Sequence, residues 1–272
     1  MISVLRPENT VELFEILDRE NKDFLFIAGG TDVMPSIKKG IEKREDLIDL
    51  SLLKKEFSGI YQENNNIIIK SLTTFAKIQK NELLKKHFPS FIKASKLIGG
   101  YTIQGMATIA GNIVNASPAA DSVPVLLTLN AKVTLLSGKG SRIIELKDFY
   151  KGYKQLEIKN NEIISSIIIP VSDYKADFIE VGTRKAMSIT KVSLAYAYKD
   201  NNILLSAGSA FAYPKRLFAT EKRFFEEGLN KDDFEIILKE DISPLDDIRS
   251  SGAYRFNVLR NLVYNLYQEL QE

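Results

Sequence analysis

Two short glycine-bearing segments carry residue types suited to holding an anionic ligand. The first, Ala28-Gly29-Gly30-Thr31-Asp32, follows an apolar, β-favouring run over 23–27. Glycines at a strand end let backbone N–H groups approach a pyrophosphate with no Cβ in the way, and Thr31 adds a hydroxyl donor. The same dipeptide also makes an ordinary tight turn. The second segment is Thr108-Ile109-Ala110-Gly111-Asn112, with Asp121 further along. Its small residues again permit close approach, Thr108 and Asn112 offer hydrogen bonds, and Asp121 is an acceptor for ribose hydroxyls. A closely packed core loop reads the same way. Together the two segments say more than either alone, because a dinucleotide diphosphate needs donors from several directions.

Other chemistries are excluded by what is missing. With Cys 0 and His 1 the chain has no disulfide, no thiolate zinc or iron-sulfur ligand, no cysteine nucleophile and no multi-histidine metal site. Neither GxGxxG nor GxxxxGK[ST] occurs, so a Rossmann fingerprint and a P-loop are both absent. His87, among lysines, reads as a surface helix-end residue. Asn115-Ala116-Ser117 matches a glycosylation sequon by chance, the adjacent cations Arg184 and Lys185 read as a solvated turn, and Ser209 lacks the GxSxG frame of a hydrolase elbow.

The elements that must position these segments follow from the hydrophobic pattern. Asn9-Thr10 before Val11, Leu13, Phe14, Ile16 and Leu17 predicts a capped helix, so the chain opens as strand, helix, strand. Strands are expected over 46–50 and 66–70, and one helix over 81–97 ended by Gly99-Gly100. The stretch 105–130 is dense in small residues with few charges, which argues against a solvated loop. A hairpin is predicted over 132–146 with its turn at Ser137-Gly138-Lys139-Gly140-Ser141, then a buried strand Ile163 to Ile169 ended by Pro170. A boundary falls near 171–175. Beyond it, 188–198 and 202–212 predict paired elements, and 220–229 and 251–270 predict helices. The last presents Phe256, Leu259, Val263 and Leu266 on one face. The 272 residues allow about two domains. The 37 Lys+Arg against 35 Asp+Glu leave a net charge of +2, too even for a nucleic-acid partner. No apolar run approaches membrane-spanning length. Early charges and Pro7 stand where a signal peptide needs apolar residues, so a cytoplasmic setting is expected.

At the glycine segments the sequence resembles a known family. Ala28-Gly29-Gly30-Thr31-Asp32, followed by Ala107-Thr108-Ile109-Ala110-Gly111-Asn112-Ile113-Val114-Asn115-Ala116-Ser117-Pro118-Ala119-Ala120-Asp121-Ser122-Val123-Pro124, is similar to the FAD-binding medium subunit of molybdenum hydroxylases. That family includes the flavin subunits of xanthine dehydrogenase, aerobic carbon monoxide dehydrogenase and nicotinate dehydrogenase. The resemblance extends to Val181-Gly182-Thr183-Arg184-Lys185-Ala186-Met187-Ser188-Ile189-Thr190-Lys191-Val192 and to Asp246-Asp247-Ile248-Arg249-Ser250-Ser251-Gly252-Ala253-Tyr254-Arg255, so it covers essentially the whole chain.

The resemblance implies an α+β flavoprotein. An FAD-binding domain related to the vanillyl-alcohol-oxidase type spans 1–172, with α/β lobes at about 1–56 and 57–172. A smaller C-terminal domain of antiparallel strands and helices spans 173–272. It further implies a noncovalent FAD whose first loop is Phe26, Ile27, Ala28, Gly29, Gly30, Thr31, Asp32 and Val33 and whose second is Thr108, Ile109, Ala110, Gly111 and Asn112. Asp121 matches an acidic FAD contact, Ile164 a backbone contact, and Ile98 a position where some members place an aromatic against the isoalloxazine. Three residues depart from the family pattern: Ala110 stands for a usual Gly, Ile98 cannot stack so that Tyr101 or another ring takes that role, and Glu180 occupies a position often Lys. The implied function is electron transfer. A molybdopterin-binding large subunit oxidises substrate, a small subunit carries two 2Fe-2S clusters, and this chain's FAD passes electrons to NAD or another acceptor, with xanthine dehydrogenase as the expected type. No catalytic residue and no metal ligand are expected on this chain. The rival reading is a flavin-free binding or assembly protein of the same fold. A stand-alone flavin oxidoreductase lacks the His or Cys for covalent attachment and a substrate domain.

Overall fold

A computed structural model of the chain describes residues 3–19, 23–44, 46–184 and 189–271. Strands β1 (Ser3–Leu5), β2 (Leu25–Ile27) and β3 (Asp46–Asp49) form a parallel sheet ordered β1-β3-β2. The helix Thr10–Arg19 connects β1 to β2, and the Glu12 N–H donates to Asn9 Oδ1 at 3.0 Å, the cap expected from Asn9-Thr10. Leu13, Phe14 and Leu17 recur at helical spacing and are buried with Phe24, Ile48 and Leu53 as the core of this first lobe.

The second lobe is antiparallel. Strands β4 (Ile60–Glu63), β5 (Asn66–Lys70), β6 (Lys132–Ser137) and β7 (Gly140–Glu145) precede a ribbon of β8 (Tyr150–Gly152) and β9 (Gln155–Leu156). Strand β10 (Ile163–Pro170) then enters the centre of the sheet, ordered β4-β5-β10-β6-β7. The expected hairpin is β6–β7, paired from Lys132↔Glu145 to Ser137↔Gly140. Instead of one helix over 81–97 there are two, Glu82–His87 and Pro89–Ser95. Pro89 has no N–H for the preceding turn and its ring crowds it, so one helix ends and Pro89 opens the next. The small-residue stretch folds into helices Ile109–Asn115 and Ser122–Thr128. The second is buried along its whole length, which is why it carries no charge. The ladder shifts register between Ile164 and Ser166, and the side chain of Ile163 joins the first lobe's core while that of Ile164 joins the second's.

The C-terminal sheet is β11 (Lys175–Val181), β12 (Val192–Lys199), β13 (Asn202–Gly208) and β14 (Lys215–Arg216) in that order, all antiparallel. Its pairing of β12 with β13 matches the expectation, while β11 and the helix Lys231–Asp241 were not anticipated. Ser188, where the expected first element began, lies outside the described residues. One face packs Val192, Leu194 and Leu205 against Phe234, Leu259 and Val263 of helices Lys231–Asp241 and Gly252–Gln271. The other face lies on helices Pro89–Ser95 and Ser122–Thr128, and Phe178 and Ala195 enter the second lobe's core. Gly208 permits this approach: a Cβ there would overlap Ser193 Oγ and sit 3.0 Å from Pro124 Cγ. The architecture is the expected α+β class. Among the described residues no helix is long and apolar enough to cross a membrane.

Candidate cofactor site

The two glycine segments meet at the seam between the lobes. Gly29 lies on the peptide between Met106 and Ala107; a Cβ there would overlap the Met106 carbonyl oxygen and stand 2.7 Å from its carbon. Gly29 is therefore required by a backbone-to-backbone contact as well as by any ligand. Gly30 has φ +68, the left-handed region that turns the chain from β2 into helix Val33–Lys38. Across the seam, Asn115 Nδ2 donates to Asp32 Oδ1 at 3.1 Å. Phe26, Ile27, Ala28, Gly29, Gly30, Thr31 and Val33 are half-buried, and Asp32 is exposed. None of the N–H groups of residues 29–33 donates to another described residue, so the first loop presents a row of unpaired donors.

The second segment is built differently. A strap over 71–75 runs antiparallel to it: the Phe75 N–H donates to Ala107 O at 3.1 Å, the Ile109 N–H to Thr73 O at 3.1 Å and the Ala110 N–H to Ser71 O at 3.2 Å. Thr108 caps the helix Ile109–Asn115, accepting from the Gly111 N–H at 3.1 Å, and the Asn112 N–H donates to Thr108 O. All four amides of Ile109, Ala110, Gly111 and Asn112 are thus already paired within the protein. What this segment leaves accessible is the exposed Cα of Gly111 and the half-buried side chain of Asn112, whose Oδ1 accepts from Ser122 Oγ at 2.6 Å. The two glycine segments thus differ: the first leaves its amides free, whereas the second pairs its own and exposes the Gly111 Cα beside the Asn112 side chain. The helix is anchored at its far end by the buried Tyr150, whose hydroxyl donates to Ile113 O at 3.1 Å.

Asp121 stands at the start of helix Ser122–Thr128 and is 6% exposed. Its Oδ1 accepts from the Thr190 hydroxyl at 2.6 Å, and that hydroxyl lies 3.5 Å from Glu180 Oε1 on β11. Burial pushes the Asp121 carboxyl from 3.8 up to about 7; the Thr190 hydrogen bond opposes the rise and the Glu180 carboxylate adds to it. Burial also raises Glu180. Between 3.8 and about 7 the folded chain binds a proton that the unfolded chain releases, so stability falls as pH rises through that window and levels off above it. Asp121→Asn is accordingly expected to stabilise the chain at neutral pH, with the gain vanishing below about pH 4, as read from urea denaturation at a series of pH values.

Ile98 is half-buried against the second lobe's core, whereas Tyr101 is 82% exposed at the start of helix Tyr101–Met106, the helix that ends at the Gly29 contact. Ile164 is buried beside the β10 register shift, where the Ser71 N–H donates to Ser165 O. Arg184 is exposed, and Lys185 lies outside the described residues. Two buried hydroxyls, Thr73 and Thr190, escaped the sequence reading, and the buried Ser209 was weighed there only as a hydrolase nucleophile, not for its structural contacts. Thr190 falls inside a segment already matched to the family, and that was the one available signal. Thr73 and Ser209 gave none, because their partners Gly59, Pro118 and Thr190 are distant in sequence.

Residues 1–172 match the family model described as FAD binding domain in molybdopterin dehydrogenase. The glyceraldehyde dehydrogenase medium chain of Sulfolobus acidocaldarius is 30% identical across 98% of this chain and 98% of its own length. The xanthine dehydrogenase FAD-binding subunit of Escherichia coli O157:H7 is 26% identical across 92% of this chain and 89% of its own. In fold, a crystal structure of the Cu,Mo-CO dehydrogenase superposes with a TM-score of 0.88 at 22% identity, over 97% of this chain and 95% of that one.

Proposed function

The chain belongs to the family of FAD-binding domains of molybdopterin dehydrogenases, and from that premise we propose that it is the electron-relay subunit of a larger complex, holding FAD noncovalently at the seam between its lobes. The observation that carries this reading is the row of unpaired amides over 29–33, set against a side-chain-free surface at Gly111. Gly29, Gly30, Thr31 and Asp32 would receive the diphosphate, with Phe26, Ile27, Ala28 and Val33 shaping that loop. Thr108, Ile109, Ala110, Gly111 and Asn112 would form the opposite wall, Asp121 would take a hydroxyl of the ribityl or ribose moiety, and the backbone at Ile164 and the side chain at Ile98 would border the ring. FAD supplies one- and two-electron carriage there, and the protein's part is to bind, orient and insulate it. The domain division at 172/173 belongs to the same proposal.

A chain with Cys 0 holds no iron-sulfur cluster of its own. Electrons therefore reach the site from 2Fe-2S clusters on a small partner subunit, downstream of a molybdopterin-binding large subunit, and leave to NAD or another acceptor, in a cytoplasmic complex. The sequence expectation for the holoenzyme is the xanthine dehydrogenase type. The glyceraldehyde dehydrogenase relative, at 30% identity against 26% for the xanthine dehydrogenase relative, favours an aldehyde instead. Offering xanthine and glyceraldehyde separately to the complex purified with its large subunit distinguishes them.

The flavin is expected at about one per chain and without a covalent bond, because neither glycine segment contains a His or Cys to attach it. Acid precipitation should release it into the supernatant. Flavin retained in the pellet contradicts noncovalent binding, and a purified chain with no visible flavin absorbance that binds none when FAD is added contradicts the function itself and favours the assembly-protein reading.

A further inference from the structure

The C-terminal segment Asp246 to Arg255 plays no part in the site as described, yet it ends on one of the most deeply buried charges in the molecule. Arg255, on the helix Gly252–Gln271, is 2% exposed. Its Nη1 donates to Ser209 O at 2.6 Å and to Lys191 O at 3.1 Å, and its Nη2 pairs with Asp247 Oδ1. The Arg249 and Arg255 guanidiniums hold the Asp247 carboxyl far below the ordinary range, so this anchor stays ionised. Both carbonyls gripped by Arg255 belong to segments that reach the proposed FAD site. Ser209, in the left-handed region at φ +58, donates its N–H to Pro118 O at 2.7 Å and its hydroxyl to Thr190 O at 2.9 Å. Lys191 follows Thr190, whose hydroxyl donates to Asp121 Oδ1. Two short hydrogen-bonded paths thus run from one guanidinium to the two ends of the turn 118–121.

We infer that Arg255 is a positioning residue for the cofactor site: by fixing the Ser209 and Lys191 carbonyls it aims the Thr190 hydroxyl at Asp121 and seats the 118–121 turn. The C-terminal domain is on this account part of the FAD-binding apparatus. Lysine cannot replace the guanidinium, because reaching two carbonyls and a carboxylate at once requires its planar fork. The inference rests on the proposed role of Asp121 in holding FAD, and the test separates the two.

The experiment uses the full chain. Arg255→Lys is expected to weaken FAD binding roughly tenfold, the usual scale for losing one hydrogen bond to a charged group. Thr190→Val should do the same, and Thr190→Ser, which keeps the hydroxyl, should retain affinity. Combined with Thr190→Val, Arg255→Lys should add less than about a further twofold, because both act through one hydroxyl. Equal losses from Arg255→Lys in both backgrounds would reduce Arg255 to general structural support, and no loss in either would overturn the inference. A second arm needs no flavin: the Ser209 amide should exchange hydrogen at least about ten times faster in Arg255→Lys while helix 252–271 stays protected. Unchanged exchange at Ser209 refutes the link even if the parent chain binds no FAD. Should Arg255→Lys fail to fold, Asp247→Asn, which loosens the anchor and keeps the guanidinium, must shift both readouts in the same direction.

Discussion

Gly29→Val is expected to abolish FAD binding and to lower the stability of the chain by about 3 kcal/mol, the upper range for forcing extra atoms into a packed site. The reason is local. A Cβ at Gly29 would stand 2.7 Å from the Met106 carbonyl carbon and 3.2 Å from Ala107 Cα, both backbone atoms with no rotamer to move. Relief requires separating β2 from helix Tyr101–Met106, which opens the seam on which the first loop rests. Gly30→Val and Gly111→Val should also impair FAD binding, for other reasons. At Gly30 the left-handed φ of +68 is strained for a β-branched residue, yet the nearest side-chain atom, Met34 Cγ at 3.2 Å, can give way. At Gly111 a Cβ would press on Thr108 Oγ1 at 2.9 Å and displace the helix cap. Denaturation midpoints and FAD titrations on the three variants should therefore rank Gly29 as the most damaging to stability. If Gly29→Val folds and binds FAD like the parent, the seating of the first loop on Met106–Ala107 is wrong.

Arg216→Met should cost about 3–5 kcal/mol, the scale for removing one partner of a buried ion pair. Arg216 is 5% exposed and makes a two-point contact with Glu221, Nε to Oε1 at 2.6 Å and Nη2 to Oε2 at 2.8 Å. Its Nη1 reaches Asn130 Oδ1 at 2.9 Å and Leu127 O at 3.3 Å, tying the C-terminal sheet to the end of helix Ser122–Thr128, the helix that begins beside Asp121. Without the guanidinium, Glu221 is left buried, and burial already pushes its carboxyl up against the Arg216 contact. The loss should be largest at neutral pH, shrink as acid protonates Glu221, and be partly recovered by adding Glu221→Leu. Urea denaturation measures all three. A loss of stability under 1 kcal/mol for Arg216→Met would mean that the sheet is held to this helix by apolar contact alone.

Much of this architecture can be read from the sequence because local signals and tertiary contacts agree. Asn9 caps the first helix, Gly138-Lys139 turns the hairpin, and the isoleucines of β5 and β10 mark strands covered on both faces. The glycine segments were recognisable by residue type. Their division of labour was not, because whether the amides of 109–112 are free depends on Ser71 and Thr73, which arrive from a strap far away in the chain. Strand β11 escaped because its apolar residues are spread between two environments: Phe178 enters the second lobe's core while Lys175 is exposed and Glu180 half-buried. The helix Lys231–Asp241 is announced by a capping box of Asn230 and Asp233, a signal legible in principle, although the segment's many charges mask its apolar stripe. Asp121 was found as an acidic residue in a small-residue stretch. Its near-neutral titration was not, since that depends on burial and on Thr190 and Glu180, contributed by the C-terminal sheet and the segment leading into β12.

The most direct test of the relay follows the visible flavin absorbance while substrate is added to this chain reconstituted with its molybdopterin and iron-sulfur subunits, to the mixture lacking the iron-sulfur subunit, and to this chain alone. The account predicts bleaching in the complete complex and none in the other two, because the chain, with Cys 0, has no cluster to feed its flavin. Substrate-driven bleaching by this chain alone would contradict the relay and make it a self-contained flavin oxidoreductase.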